Sequence, residues 1–253
     1  VSELDRQLLL LINGLVGSSP TLFELCLLFC GALPLIGCVA VMLALWWTDP
    51  EGGAGETAPV LAIGEAPERV GRRVSRRRCV ALAAAVAAAF ICTRLIAFAT
   101  DFPRPLGREA LAVPIEAERW EHLVSGMTGF GAFPSDHAAL FFALAVGLFA
   151  WSRILGGVGV AVAVFLSVIR IAVGFHYPSD MAAGALLGGL AGGLALLAAS
   201  RPGRILDGVV ELSDRHPAIF YPLLFVVALD FTQHFRLVFR AVFFFLLSLL
   251  GGG

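Results

Sequence analysis

The sequence predicts an all-α fold: a polytopic membrane bundle of about six transmembrane helices with an interfacial helix at its N-terminus. Three observations predict it. Apolar residues make up 58% of the chain before its 28 glycines are counted, and only 15% is charged. Soluble domains run at about 45–50% apolar with glycine included and about 25% charged. Second, apolar runs at 21–47, 79–100, 136–152, 154–175 and 181–200 lie near the ~20 residues that a spanning helix needs. Third, the arginines outside those runs divide unevenly between the two sides, as the positive-inside bias requires.

The same figures exclude a disordered chain, a disulfide-stapled mini-protein and collagen. A formal net charge of −1 offers nucleic acid no basic face. There is no lysine, so all 18 basic residues are arginine, and Schiff-base chemistry is ruled out. Cys26, Cys30, Cys38, Cys79 and Cys92 lie in or beside apolar runs without CxxC spacing. They read as small buried hydrophobes.

In chain order, Leu4, Leu8, Leu11 and Leu15 recur at helical spacing, which predicts the interfacial helix over residues 1–18. Glu3 and Asp5 stand where a secretory signal would be basic. The first span, Thr21 to Trp47, ends in a tryptophan pair suited to the membrane interface. Residues 48–78 read as a cytoplasmic loop. Its Gly/Pro/Glu half lacks hydrophobic periodicity, and its Arg69–Arg78 cluster reads as a topology determinant or a lipid-headgroup patch. Glycines 184, 188 and 192, with 189 and 193, give the 181–200 run a ladder for close helix packing. A sixth run starts near Ala218, is broken by Asp230, Gln233, His234, Arg236 and Arg240, and reads as a span with an interfacial tail over 217–253.

If 48–78 faces the cytoplasm, that side carries ten arginines, including Arg153, Arg201, Arg204 and Arg215, against six on the other. Residues 101–135 and 170–180 then face outward. The chain's chemistry is concentrated in those two segments: Phe102-Pro-Arg104-Pro105, Phe133-Pro134-Ser135-Asp136-His137, and Arg170 followed by His176 and Asp180. All fall at the same ends of their spans, and charged groups clustered at a bilayer mark a functional site. Ser135 is placed to cap a helix whose first-turn amides would attract an anion. A capped span alone explains Pro-Ser-Asp, which recurs at 178–180, but not a titratable His137 just inside the membrane. An imidazole near its reference value can act as nucleophile or acid at neutral pH. A carboxylate four residues on can fix its tautomer. Arg104 and Arg170 offer planar forks for phosphate oxygens.

These three clusters resemble the KxxxxxxRP, PSGH and SRxxxxxHxxxD signature of the type 2 phosphatidic acid phosphatase (PAP2) superfamily, across roughly residues 92–180. Arg104-Pro105 match the first motif, Pro134, Ser135 and His137 the second, and Arg170, His176 and Asp180 the third. The resemblance implies a single phosphatase domain over 1–253 in which His176 attacks phosphorus, His137 protonates the leaving oxygen and then activates water, and Asp180 orients His176. Arg104, Arg170 and the amides of Ser135–His137 would hold the phosphoryl oxygens. No cofactor and no metal are expected.

The chain departs from the signature at three points. The first lysine position is Ala97, and Arg94, one turn deeper, either reaches the phosphate or pairs with Glu24. Asp136 replaces a glycine, so its carboxylate must turn away from bound phosphate, and Ile169 replaces a serine. Cys92 to Pro105 resembles the branch acting on undecaprenyl diphosphate, which implies a bacterial inner-membrane enzyme facing the periplasm or exterior. The expected partners are a lipid phosphate or diphosphate and membrane lipids. Phosphatidate, phosphatidylglycerophosphate and lipid A are alternatives within the same chemistry. Two other classes remain: a metal hydrolase using His122, His137, His176 and Asp180, which lacks any recognised ligand spacing, and a non-enzymatic headgroup binder or transporter. His122, in an acidic stretch, with His216 and His234, reads as surface or interfacial, and the Phe run 243–245 as lipid-facing.

Overall fold

A computed structural model of the chain describes residues 1–48, 67–100, 102–125 and 131–233. Among these the protein is all-α: helices α1 (Glu3–Gly17), α2 (Pro20–Cys30), α3 (Leu33–Trp47), α4 (Pro67–Thr100), α5 (Ala117–Ser125), α6 (Asp136–Gly147), α7 (Arg153–Ala172), α8 (Pro178–Ala199), α9 (Arg204–Arg215) and α10 (Pro217–Thr232). Segments 71–100, 153–172 and 178–199 are long and apolar enough to cross a bilayer, while α3, α6 with its 3-10 extension, and α10 are shorter apolar helices. Exposed leucines, valines and phenylalanines cover their outward faces. The chain is an integral membrane protein.

Several boundaries differ from the sequence reading. The expected first span is two helices, α2 and α3, broken at Gly31–Ala32 with Pro34 opening the second. Pro34 fits there because a first-turn proline gives up no helical hydrogen bond. Residues 67–78 are not loop but the first turns of α4. The segments around 117–125 and 204–215 form the amphipathic helices α5 and α9, which the sequence reading left as connections. Cys92 is exposed, whereas Cys26, Cys30 and Cys79 are buried as expected. The Gly/Pro/Glu part of the 48–78 loop, and the tail with His234, Arg236, Arg240 and Phe 243–245, lie outside the described residues.

The leucine stripe of α1 (Leu4, Leu8, Leu11, Leu15) is exposed, and the helix turns Leu9 and Asn13 inward instead. At the arginine-rich end, the cluster is tied into the protein. Arg76 reaches Asp214 at 2.5 Å and lies over the rings of Trp46 and Trp47. Arg77 pairs with Asp207 at 2.9 Å, and Arg78 lies over Trp151. These three arginines therefore join α4 to α9 and to an aromatic belt rather than forming a free headgroup patch.

α6 is the centre of the bundle: ten of its twelve residues are buried, which leaves almost no face for lipid. Its closest neighbour is α8. A Cβ at Gly184, Gly188 or Gly192 would overlap the carbonyl oxygens of Ser135, Ala139 or Ala143, whereas Gly193 has nothing within 4 Å. Only the 184/188/192 half of the glycine ladder does the packing. Gly188→Ala is therefore expected to push α6 off α8 at a cost of about 1–3 kcal/mol, read as a lower thermal midpoint in detergent. Gly193→Ala is the control and should be neutral or slightly stabilising.

This packing carries the N-termini of α6 and α8, the C-termini of α4 and α7, and α1 to one end of the molecule. Arg77 and Arg94 are 17 residues apart on α4, so about 26 Å separates the arginine belt from that end.

Candidate active site

Ser135 caps α6 as the sequence predicts, its hydroxyl accepting from the Ala138 amide at 3.4 Å. The anion site expected of the first-turn amides is altered. The Ser135 N–H donates to the Asp180 carbonyl at 3.0 Å, and the His137 N–H donates to Asp136 Oδ1 at 2.8 Å. Two of the three amides are thus already engaged. The first bond has its own use, since it ties the start of α6 to the start of α8.

Asp136 does not turn away. Oδ1 lies 2.7 Å from His137 Nδ1, and Oδ2 meets Arg94 Nη2 at 3.1 Å. Arg94 pairs with Asp136 and not with Glu24, which is held by Arg119. Asp136 gives His137 a carboxylate partner at Nδ1. Arg94 neutralises the carboxylate, so the charge added at the glycine position of the resembled motif need not repel a bound anion.

The second histidine sits on the turn between α7 and α8. Gly174 adopts φ +78° there, a left-handed conformation that glycine takes at little cost, and it ends α7. Tyr177 and Pro178 then start α8 with Asp180 at its third position. Asp180 Oδ2 accepts from the Tyr177 N–H at 2.8 Å and lies 3.6 Å from His176 Nδ1. The separation is longer than a hydrogen bond. His176 and Asp180 are both almost fully buried, and His176 Nδ1 and Asp180 Oδ1 have no other hydrogen-bond partner.

On the opposite edge of the ring, Arg104 Nη1 lies 3.2 Å from His176 Nε2 and 3.1 Å from the Phe175 carbonyl oxygen. Burial holds the His176 imidazole below its ordinary pKa. The contact with Asp180 opposes that, and the charges of Arg104 and Arg170 add to it. A lowered value favours the neutral ring, the form that keeps a lone pair.

Arg94, Arg104, Asp136 and His176 line one small pocket, with Thr93 and Ala97 behind them. Its volume is about 10 Å³, roughly the room one water needs. His137 and Arg170 stand one step behind, His137 against Asp136, and Arg170 against the Cys30 carbonyl at 3.0 Å. Arg170 is thus first a link from α7 to α2. Catalytic hydrogen bonds often tighten only once substrate is bound.

Some residues of the site left no mark in the motifs. Thr93 is buried in the pocket wall. Tyr177 donates from its hydroxyl to Glu109 at 2.9 Å. Asn13 is buried and bonds Ala112 and Ala172. Its signal was a lone polar residue among the apolar residues 8–12 and 15–16. Among the described residues no group of three histidine, cysteine or carboxylate side chains could hold a metal ion. His122 is exposed on α5.

Comparison with known proteins gives the chain its relatives. A stretch of 57 residues is 44% identical to the bacitracin transport permease protein BcrC of Bacillus licheniformis, covering 22% of this chain and 28% of that protein. The chain thus matches well under two thirds of that relative's length. No solved structure matches. The family model of the PAP2 superfamily matches residues 78–204, a span that holds Arg94, Arg104 and both imidazole–carboxylate pairs. Half of the chain lies within that match, and the protein belongs to the PAP2 superfamily.

Proposed function

We propose that the protein is a membrane phosphatase that hydrolyses a polyprenyl diphosphate, of the undecaprenyl class, to its monophosphate and inorganic phosphate. The observation that carries this reading is the placing of His176: Nδ1 towards Asp180, Nε2 towards Arg104, in a pocket also lined by Arg94 and Asp136. Nε2 attacks the terminal phosphorus, and the P–O bond to the lipid monophosphate breaks. His137, oriented by Asp136, protonates the departing oxygen. His137 then takes a proton from water, whose oxygen attacks phosphorus. The N–P bond breaks, releasing inorganic phosphate and restoring the imidazole. Arg104 and Arg170 hold the phosphoryl oxygens, and no metal is needed. The polyprenyl choice rests on the resemblance of the Cys92–Pro105 segment.

An apolar groove of about 450 Å³ supports a lipid substrate. It runs between α3 and α7 and reaches Phe29, next to Cys30 in sequence, and Leu166, one helical turn before Arg170. The site lies at the end of the bundle opposite the arginine belt, which supports an outward-facing site on a bacterial inner membrane.

A second reading, headgroup binding or transport without chemistry, is favoured by the BcrC relative, which is named a transport permease protein. One experiment separates the two. Purified protein in detergent is given undecaprenyl diphosphate, phosphatidate, phosphatidylglycerophosphate and lipid A, and inorganic phosphate is measured from pH 4 to 9. The proposal expects release, fastest from the polyprenyl diphosphate. It also expects an acid limb below the ordinary imidazole value of 6.5, because a lowered His176 pKa keeps the nucleophile neutral until the pH falls further. Binding without release would establish the second reading.

A further inference from the structure

Helix α1 lies outside the family match, yet it grips the turn that carries His176 from both sides. After the histidine, Asp5 Oδ1 accepts from the Ser179 N–H at 2.9 Å. This amide lies in the first turn of α8, where backbone donors lack intrahelical partners. Glu109 joins Tyr177 to Arg6, with Oε1 accepting from the Tyr177 hydroxyl and Oε2 from Arg6 Nε, both at 2.9 Å. Before the histidine, Asn13 Nδ2 donates to the Ala172 carbonyl at 2.8 Å, while its Oδ1 accepts from the Ala112 amide at 2.7 Å. Between these ties Leu9, wholly buried, packs against Tyr177, Met181, Ile171 and Ala138. Two of the three residues between His176 and Asp180, Tyr177 and Ser179, are therefore held from α1 or through it.

We propose that α1 is a positioning clamp for the nucleophile, with Asp5 and the Arg6–Glu109–Tyr177 relay setting where His176 stands relative to Asp180 and Arg104. None of these residues touches the phosphoryl group. They act on the reaction through the backbone of the 176–180 turn, where the 3.6 Å gap between Nδ1 and Oδ2 leaves little tolerance for drift. The clamp rests on the reading of His176 as nucleophile.

The test uses Asp5→Ala, Asp5→Asn and Tyr177→Phe in the full chain. Asparagine keeps an acceptor for the Ser179 amide, and Ser179 is exposed, so loss of this bond alone should not unfold the protein. Asp5→Ala and Tyr177→Phe are each expected to lower kcat about tenfold, within the loss that a slight misplacement of reacting groups brings. KM should stay unchanged, and Asp5→Asn should recover most of the rate.

A second readout does not depend on turnover: the titration of His176 followed by 15N-imidazole NMR. Its ring faces Arg104 from the outer loop, Arg170 from α7, Asp180 from α8, and the Arg94–Asp136 pair from α4 and α6. Loosening the turn should admit water and raise the His176 value towards the ordinary one in Asp5→Ala but not in Asp5→Asn. Wild-type kcat and an unmoved titration in both Asp5→Ala and Tyr177→Phe would overturn the clamp. So would a rate loss that asparagine fails to rescue. If the wild type itself releases no phosphate, the enzymatic reading fails, and the titration alone then decides whether α1 holds the turn.

Discussion

Replacing His176 by asparagine is expected to lower kcat/KM for phosphate release by about 10⁴-fold or more, the scale seen when a nucleophile or its base is removed from a catalytic unit that works together. The side chain is buried against Asp180 and Arg104, and asparagine fills much of the same volume. Helix content and thermal midpoint should therefore stay close to wild type. Substrate binding should survive as well, because Arg104 and Arg94 remain and Arg104 no longer shares its charge with a ring nitrogen. An unchanged binding constant with abolished turnover separates loss of chemistry from loss of the site. A variant that still turned over at the wild-type rate would remove His176 from the reaction.

The second large effect concerns His137, and its size should depend on the substrate. His137→Asn removes the proton donor for the leaving oxygen and the base for the attacking water, each worth about 10²–10⁴-fold. The leaving group of a lipid diphosphate is a phosphate monoester, whose second pKa is about 6, so it departs without much help. The leaving group of phosphatidate is an alkoxide, which needs the proton. The first step should therefore persist with a diphosphate and fail with a monoester. The second step lacks its base in both cases. Burst kinetics with the polyprenyl diphosphate are expected: rapid release of one equivalent of lipid monophosphate, then a stall. Equal slowing on both substrates, with no burst, would place His137 outside proton transfer.

Motif spacing made the core of the site legible, because its chemistry demands residue types that membrane helices otherwise avoid. Arg104, His137, Arg170, His176 and Asp180 stood out as costly groups at span ends, and Ser135 as a cap. What spacing could not report was pairing. The sequence offered Arg94 the phosphate or Glu24, whereas the packing of α6 against α4 gives it Asp136 and leaves Glu24 to Arg119. The engagement of the Ser135 and His137 amides was hidden for the same reason, since it depends on Asp180 and on the Asp136 rotamer.

The fold followed a similar division. Hydropathy found the apolar runs, but hydropathy is indifferent to a helix break between apolar residues, so Gly31–Ala32 passed unnoticed. Amphipathic α9 was missed because a charged stretch beside a span reads as a loop, and its ties through Asp207 and Asp214 to Arg77 and Arg76 are long-range pairings that spacing does not report. Of the two glycine rows on α8, only the geometry tells which meets α6. Asn13 shows the limit most clearly. One polar side chain in an apolar helix hints at a buried partner, but its partners lie 99 and 159 residues away.

The most direct test of the central claim is to trap the covalent species. The His137→Asn variant, given polyprenyl diphosphate labelled on its terminal phosphate, is quenched in alkali, where phosphohistidine survives, and the labelled peptide is sequenced by mass spectrometry. One phosphate on the Nε2 atom of His176, discharged slowly to water, is the predicted result. Label on another residue, or steady turnover by the wild type with no label on the protein at any time, would contradict it.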